Sequence, residues 1–118
     1  MNNKSKMIIG KYGNKLWTLN GLLHREDGPA IECADGCKEW RLNGKRHRID
    51  GPAVIYADGS KTWYLDGKRH RIDGPAVEYL DGDKMWYLNG KQVTEMEVMI
   101  DYNPNITERE YLDFVMNQ

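Results

Sequence analysis

An eleven-residue string, GKRHRIDGPAV, stands at Gly44–Val54 and again at Gly67–Val77, and a looser copy, GLLHREDGPAI, stands at Gly21–Ile31. The three are spaced by a constant 23 residues. A period of that length restricts the chain to an array of one small supersecondary unit, each copy burying its apolar face against its neighbours. The period extends beyond the string. Trp17, Trp40, Trp63 and Trp86 fall in register, as do Leu19, Leu42, Leu65 and Leu88, and Gly13, Gly36, Gly59 and Gly82. The same surface chemistry therefore recurs at regular intervals, and function is to be sought in that surface or where the repeat breaks.

Within one unit, Pro52–Gly67, the dipeptide Asp58-Gly59 reads as a two-residue type I′ turn. That turn pairs Val54 with Trp63 and Tyr56 with Lys61. Alternation then gathers Val54, Tyr56, Trp63 and Leu65 on one side, and Ile55, Thr62 and Tyr64 on the other. The first set barely changes between units, so it is expected to be the packed side. The other side drifts: Arg41, Tyr64 and Tyr87 share one slot, and Glu32, Ile55 and Glu78 another. Pro29, Pro52 and Pro75 sit where a strand starts, a place that tolerates a missing N–H. The expected fold is mainly β, a single-layer antiparallel meander of stacked 23-residue hairpins over residues 1–92. Lys4, Lys6, Lys11 and Lys15 guard its N-terminal edge.

The fourth unit begins with NGK at Asn89–Lys91 and then departs. Where the His-Arg run would fall, Thr94 and Glu97 form a capping box, with Val93 and Val98 as a hydrophobic staple. Asn103-Pro104 breaks that helix. Thr107 with Glu110 then makes a second box, and Ile106 with Tyr111 a second staple. Residues 93–118 are expected to be two short helices capping the array, with Met96, Met99, Ile100, Tyr111, Leu112 and Val115 at helical spacing.

With 118 residues there is room for one small domain. Only one Phe is present, so packing must lean on Trp and Tyr. No stretch has the length of a signal-peptide core or a spanning helix, and a soluble, cytoplasmic protein is expected. Cys33 and Cys37 stand where another unit has Tyr56 and Ser60, which suggests free thiols outside the repeat design. The net charge of −1 argues against duplex nucleic acid as a partner. Its distribution is uneven: residues 93–118 carry six acids and one base, and the remainder has a basic excess.

The segment Gly44–Trp63, GKRHRIDGPAVIYADGSKTW, resembles the MORN repeat, in the variant that carries H-R-x-D-G-P-A. The likeness runs over residues 7–91. It departs from the usual unit in its second strand, K-T-W-Y-L, and in the R-I-D-G-P run after the histidine. That variant is met in proteins of bacteria, large phages and large DNA viruses. The resemblance implies an elongated, twisted sheet of hairpins acting by binding, with dimerisation, scaffolding and contact with acidic phospholipids as the associated roles.

Cationic loops are the candidate contact residues: Lys45, Arg46, His47 and Arg48, then Lys68, Arg69, His70 and Arg71, with His24-Arg25 in the first copy. Arginine forks suit phosphate and carboxylate groups. A structural reading stands beside the functional one, in which Arg48 and Arg71 pair with Asp50 and Asp73 two residues on. Lys45, Arg46, Lys68 and Arg69 have no such local partner and are the preferred contacts. Arg41, Tyr64 and Tyr87 are expected to add an exposed aromatic surface able to hold a nucleobase and its phosphate. Equivalent histidines lie two strands apart, about 9–10 Å, too far for one zinc, and no metal or cofactor is expected. A repeat supplies identical constellations where an enzyme needs one asymmetric site, so no catalysis is expected either.

The leading expectation is therefore a non-enzymatic binding protein that engages another protein, in the form of a virus-encoded modulator of a host factor. The alternative is sequestration of a nucleotide or an acidic lipid headgroup by the basic loops. A homodimer is a further expectation.

Overall fold

The computed structural model describes residues 4–102 and 107–116. The chain is mainly β, one large antiparallel sheet of hairpin-like strands followed by helix at the C-terminal end. Strand order follows chain order from Lys6–Ile9 at one edge to Lys84–Leu88 and Lys91–Val93 at the other. The two ends do not meet, so the sheet is not a closed barrel.

Each full unit holds two hairpins where the sequence suggested one. In the central unit, Val54–Ile55 pairs with Lys61–Thr62, and Tyr64–Leu65 then pairs with Lys68–Arg69. The type I′ turn is in the second hairpin. Asp66 and Gly67 both take positive φ, 49° and 81°, as do the pairs Asn20-Gly21, Asn43-Gly44 and Asn89-Gly90. Asn, Asp and Gly are the residues that tolerate this region.

The Asp58-Gly59 turn differs from the expectation. Gly59 alone has positive φ, 96°. The Gly59 N–H donates to the Tyr56 carbonyl at 2.9 Å, the Tyr56 N–H to the Ser60 carbonyl at 2.9 Å, and the Ser60 N–H to Asp58 Oδ1 at 2.8 Å. This is a three-residue loop with the glycine in a bulge. The extra residue shifts the register by one, so Val54 faces Thr62 and Ile55 faces Lys61. A slip of one exchanges the faces.

The packed side consequently carries Val54, Thr62 and Tyr64, which are 2%, 3% and 8% exposed. Tyr64 closes on Ala53 and Val54; one unit on, Tyr87 closes on Ala76 and Val77, with Trp63 and Met85 against them. The slot of Arg41, Tyr64 and Tyr87 is thus on the packed side, with both tyrosines buried, and Trp17, Trp40, Trp63 and Trp86 are half-buried. Across the sheet, pairing lines up Lys15, Glu32, Lys38, Ile55, Lys61, Glu78 and Lys84 in one row. Opposite charges facing across strands add a few tenths of a kcal/mol per pair, about 0.2–1.

Units are joined by bonds at both ends of their hairpins. His24 Nδ1 accepts the Asn43 N–H at 2.9 Å, His47 Nδ1 that of Asp66 at 2.9 Å, and His70 Nδ1 that of Asn89 at 3.0 Å. Each histidine so holds the type I′ turn of the next unit. At the other end Asn14 Oδ1 accepts the Ala34 N–H at 2.8 Å, and Ser60 Oγ accepts that of Leu80 at 3.1 Å.

The helices are α1 (Glu95–Tyr102) and α2 (Glu108–Met116). Thr94 Oγ1 accepts the Glu97 N–H at 3.1 Å. Thr107 and Glu110 bond reciprocally, at 3.1 and 3.2 Å. Helix α1 packs against the Lys84–Leu88 strand, and its staple residue Val98 is 3% exposed. The expected break at Asn103-Pro104 and the staple through Ile106 lie outside the described residues. No helix among the described residues is long and apolar enough to cross a membrane.

Cys33 and Cys37 are not free thiols; a disulfide joins them, with Cα atoms 5.0 Å apart. The reason is the same three-residue turn. It sets residues 33 and 37 opposite each other, within the 4.4–6.8 Å at which Cα pairs are bridged.

Candidate functional site

The H-R-x-D-G-P loop is built around its arginine. Arg71 Nε donates to Asp73 Oδ1 at 2.8 Å and Nη1 to the Pro75 carbonyl at 3.0 Å. Arg48 does the same with Asp50 and Pro52, at 3.1 and 3.0 Å, and Arg25 with Asp27 and Pro29, at 3.0 and 3.1 Å. Each guanidinium stands 3.8 Å from a tryptophan ring centroid: Arg25 over Trp17, Arg48 over Trp40, Arg71 over Trp63. Such stacking adds to the fork. The signature glycine makes room, since a Cβ on Gly28, Gly51 or Gly74 would lie 3.0, 2.9 or 2.7 Å from the guanidinium carbon. The Arg25 bond holds the Asp27 carboxyl below its ordinary range.

These contacts account for most of the repeated string. Histidine ties one unit to the next, arginine covers the tryptophan, aspartate and the proline carbonyl fix the arginine, and glycine admits it. The local pairing reading of Arg48 with Asp50 and Arg71 with Asp73 is the observed one.

Arg46 and Arg69, expected to lack partners, have them. Arg46 Nε donates to Glu39 Oε1 at 2.8 Å and Nη1 to the Tyr64 hydroxyl at 3.2 Å. Arg69 Nε reaches the Tyr64 hydroxyl at 3.3 Å and Nη1 the Tyr87 hydroxyl at 3.1 Å. Both point to the side that carries Thr62, and Arg41 joins them there through Glu39 at 3.0 Å. The tyrosine bonds, that of Tyr64 first, raise the Arg69 pKa. Tyr64 and Tyr87 are buried, so Arg41, Tyr64 and Tyr87 do not form the exposed aromatic surface that was expected. The physical cause is the shifted register. His47 and His70 are half-buried and bonded to backbone, whereas Lys45 and Lys68 remain exposed.

The structure adds features that residue chemistry alone did not single out. Successive loops flank like clefts. One, of about 580 Å³, lies between Arg48–Pro52 and His70–Asp73 over a floor of Trp63 and Leu65. A second has the Arg25–Gly28 and His47–Asp50 loops as walls and Trp40 and Leu42 as floor. A third is bounded by Lys4, Ser5, Trp17 and the His24–Asp27 loop. Ile49 and Ile72, in the variable position of H-R-x-D, stand at the walls and are 86% and 49% exposed. An isoleucine inside a run of charged loop residues was the available signal. A smaller cleft, about 210 Å³, is lined by Arg69, Thr62, Val77, Tyr56 and Tyr79 with Ser60 and Asp58.

Cys33, Asp35 and Cys37 bring three potential ligand atoms within 4.8 Å of one another. The two sulfurs are bonded to each other, which leaves neither as a thiolate donor.

No protein-family model matches the chain, and neither does any curated protein or solved structure.

Proposed function

We propose that the chain is a non-enzymatic, repeat-built binding protein that engages another protein along its row of loop-walled clefts. The observation that carries this reading is the recurrence of one cleft geometry between consecutive H-R-x-D-G-P loops, with exposed Ile49 and Ile72 on its walls. Apolar side chains on rigid loops, over aromatic floors and among satisfied polar groups, have the composition of an interface centre. The arginines and aspartates of these loops are already paired, so they serve to hold shape. The likeness to MORN repeats supports the same reading.

The test is partner capture with wild-type protein and with Ile49→Asp combined with Ile72→Asp. Both side chains are exposed, so the fold should persist, as circular dichroism would verify. Capture should be lost. Unchanged capture would rule out the clefts, and loss with Leu112→Asp alone would move the contact to α2, where Leu112 is exposed.

A further inference from the structure

Two successive units give the same arginine two different environments. Arg46 and Arg69 occupy one repeat slot, and each stands 5.2 Å from the ring of the next tyrosine, Tyr64 or Tyr87, while donating Nη1 to its hydroxyl. The difference lies in the slot of Glu39. Glu39 gives Arg46 a carboxylate at 2.8 Å, whereas the same slot in the next unit is Thr62. Arg69 Nε turns instead to the Tyr64 hydroxyl, at 3.3 Å.

Within the repeat array, Arg25, Arg41, Arg46, Arg48 and Arg71 each pair with a carboxylate. Among the described residues Arg69 makes no ion pair. Two of its five N–H donors are used, by tyrosine hydroxyls, and three are left. Beside it is the cleft of about 210 Å³, walled by Tyr56 and Tyr79, with Thr62 and Val77 buried within it. Asp58 is on the lining as well, but its Oδ1 accepts the Ser60 N–H and the residue is exposed.

We infer that this cleft is a carboxylate-binding site, in which the acid group of a ligand takes beside Arg69 the place that Glu39 takes beside Arg46. The ligand class is a carboxylate on a short apolar stem, since Val77 and the tyrosine rings line the rest of the cleft. A free small acid and a glutamate side chain of a peptide share that chemistry. The site is on the other side of the sheet from the loop-walled clefts and does not rest on their function.

The test follows the Arg69 Nε–H and the Thr62 and Val77 amides by ¹H–¹⁵N NMR during titration with sodium butyrate, butyramide, inorganic phosphate, and a capped Ala-Glu-Ala tripeptide. Butyrate or the tripeptide should shift these signals saturably, and butyramide should not. Arg69→Gln should weaken binding about tenfold or more, the scale of a lost charge-assisted bond. Thr62→Glu, which restores the internal acid, should abolish it. Because Thr62 is buried and that variant could misfold, the reciprocal Glu39→Thr is the second probe, and it should create a matching response at Arg46. Tighter binding of the tripeptide assigns the ligand to a peptide, and tighter binding of butyrate assigns it to a free acid. Equal responses to butyrate and butyramide, equal responses to butyrate and phosphate, or an undiminished response in Arg69→Gln would overturn the assignment.

Discussion

The guanidinium of Arg71 stands 3.8 Å from the ring centroid of Trp63 and leaves no room at Gly74, where a Cβ would lie 2.7 Å from its central carbon. The arginine is the far end of a flexible side chain, yet bonds to Asp73 and Pro75 pin it. Gly74→Ala should therefore destabilise the protein by about 1–3 kcal/mol, the range for overpacking. Gly28→Ala should cost less, since its contact is 3.0 Å. Urea denaturation checks both. In an Arg71→Leu background the Gly74→Ala penalty should shrink, and a penalty that stays the same would mean the clash with Arg71 is not its cause.

The Cys33–Cys37 disulfide closes a loop of a few residues. For so short a loop the chain-entropy relation gives about 2 kcal/mol. Replacing both cysteines by serine should lower stability by that order and leave the far-ultraviolet circular dichroism unchanged, because the Tyr56–Ser60 turn forms without a bridge. A loss of β signal would show that the bridge is needed for the hairpin itself.

His24, His47 and His70 each accept a backbone N–H at Nδ1. The proton of the neutral ring must then be on Nε2. Imidazole ¹⁵N shifts should report the Nε2–H tautomer for all three, and an Nδ1–H tautomer at any of them would contradict the joint. Substituting His47 with Ala should loosen the turn at Asp66-Gly67, seen as faster amide exchange at Asp66.

Asp27 is held below its ordinary pKa by the bond from Arg25. A carboxyl with a folded pKa below its unfolded one, about 3.9, stabilises the protein above that value. The contribution fades as pH falls through the folded pKa. The urea midpoint of the wild type should accordingly drop more steeply on acidification below about pH 4 than that of Asp27→Asn. Since the carboxylate is exposed, the difference should be small. Parallel curves would show the pair to be without effect on stability.

The loop pairings of Arg48 with Asp50 and Arg71 with Asp73 were legible because both partners lie within three residues of each other. The capping hydroxyls of Thr94 and Thr107 were legible for the same reason. The tyrosines that Arg46 and Arg69 reach in the following unit were not. Tyr64 is 18 residues from Arg46, and Tyr87 is 18 from Arg69, so each bond crosses from one unit to the next. Nothing within a unit announces it. The missing carboxylate at Arg69 was written in the sequence as Thr62 in the slot of Glu39, but its meaning depends on the face assignment, which the sequence reading had the other way round.

By itself the sequence determined the 23-residue period, the strand-rich class, the start of the helical end at Thr94 and the local closure of each loop. These depend on residue type at fixed short spacing. Tertiary structure decided which side of the sheet is packed, because that follows from whether Asp58 or Asp66 takes positive φ, and a one-residue difference in the turn exchanges the faces. It also decided that Arg46 and Arg69 reach a tyrosine of the next unit, since those bonds span 18 residues and only the assembled sheet brings the partners within reach.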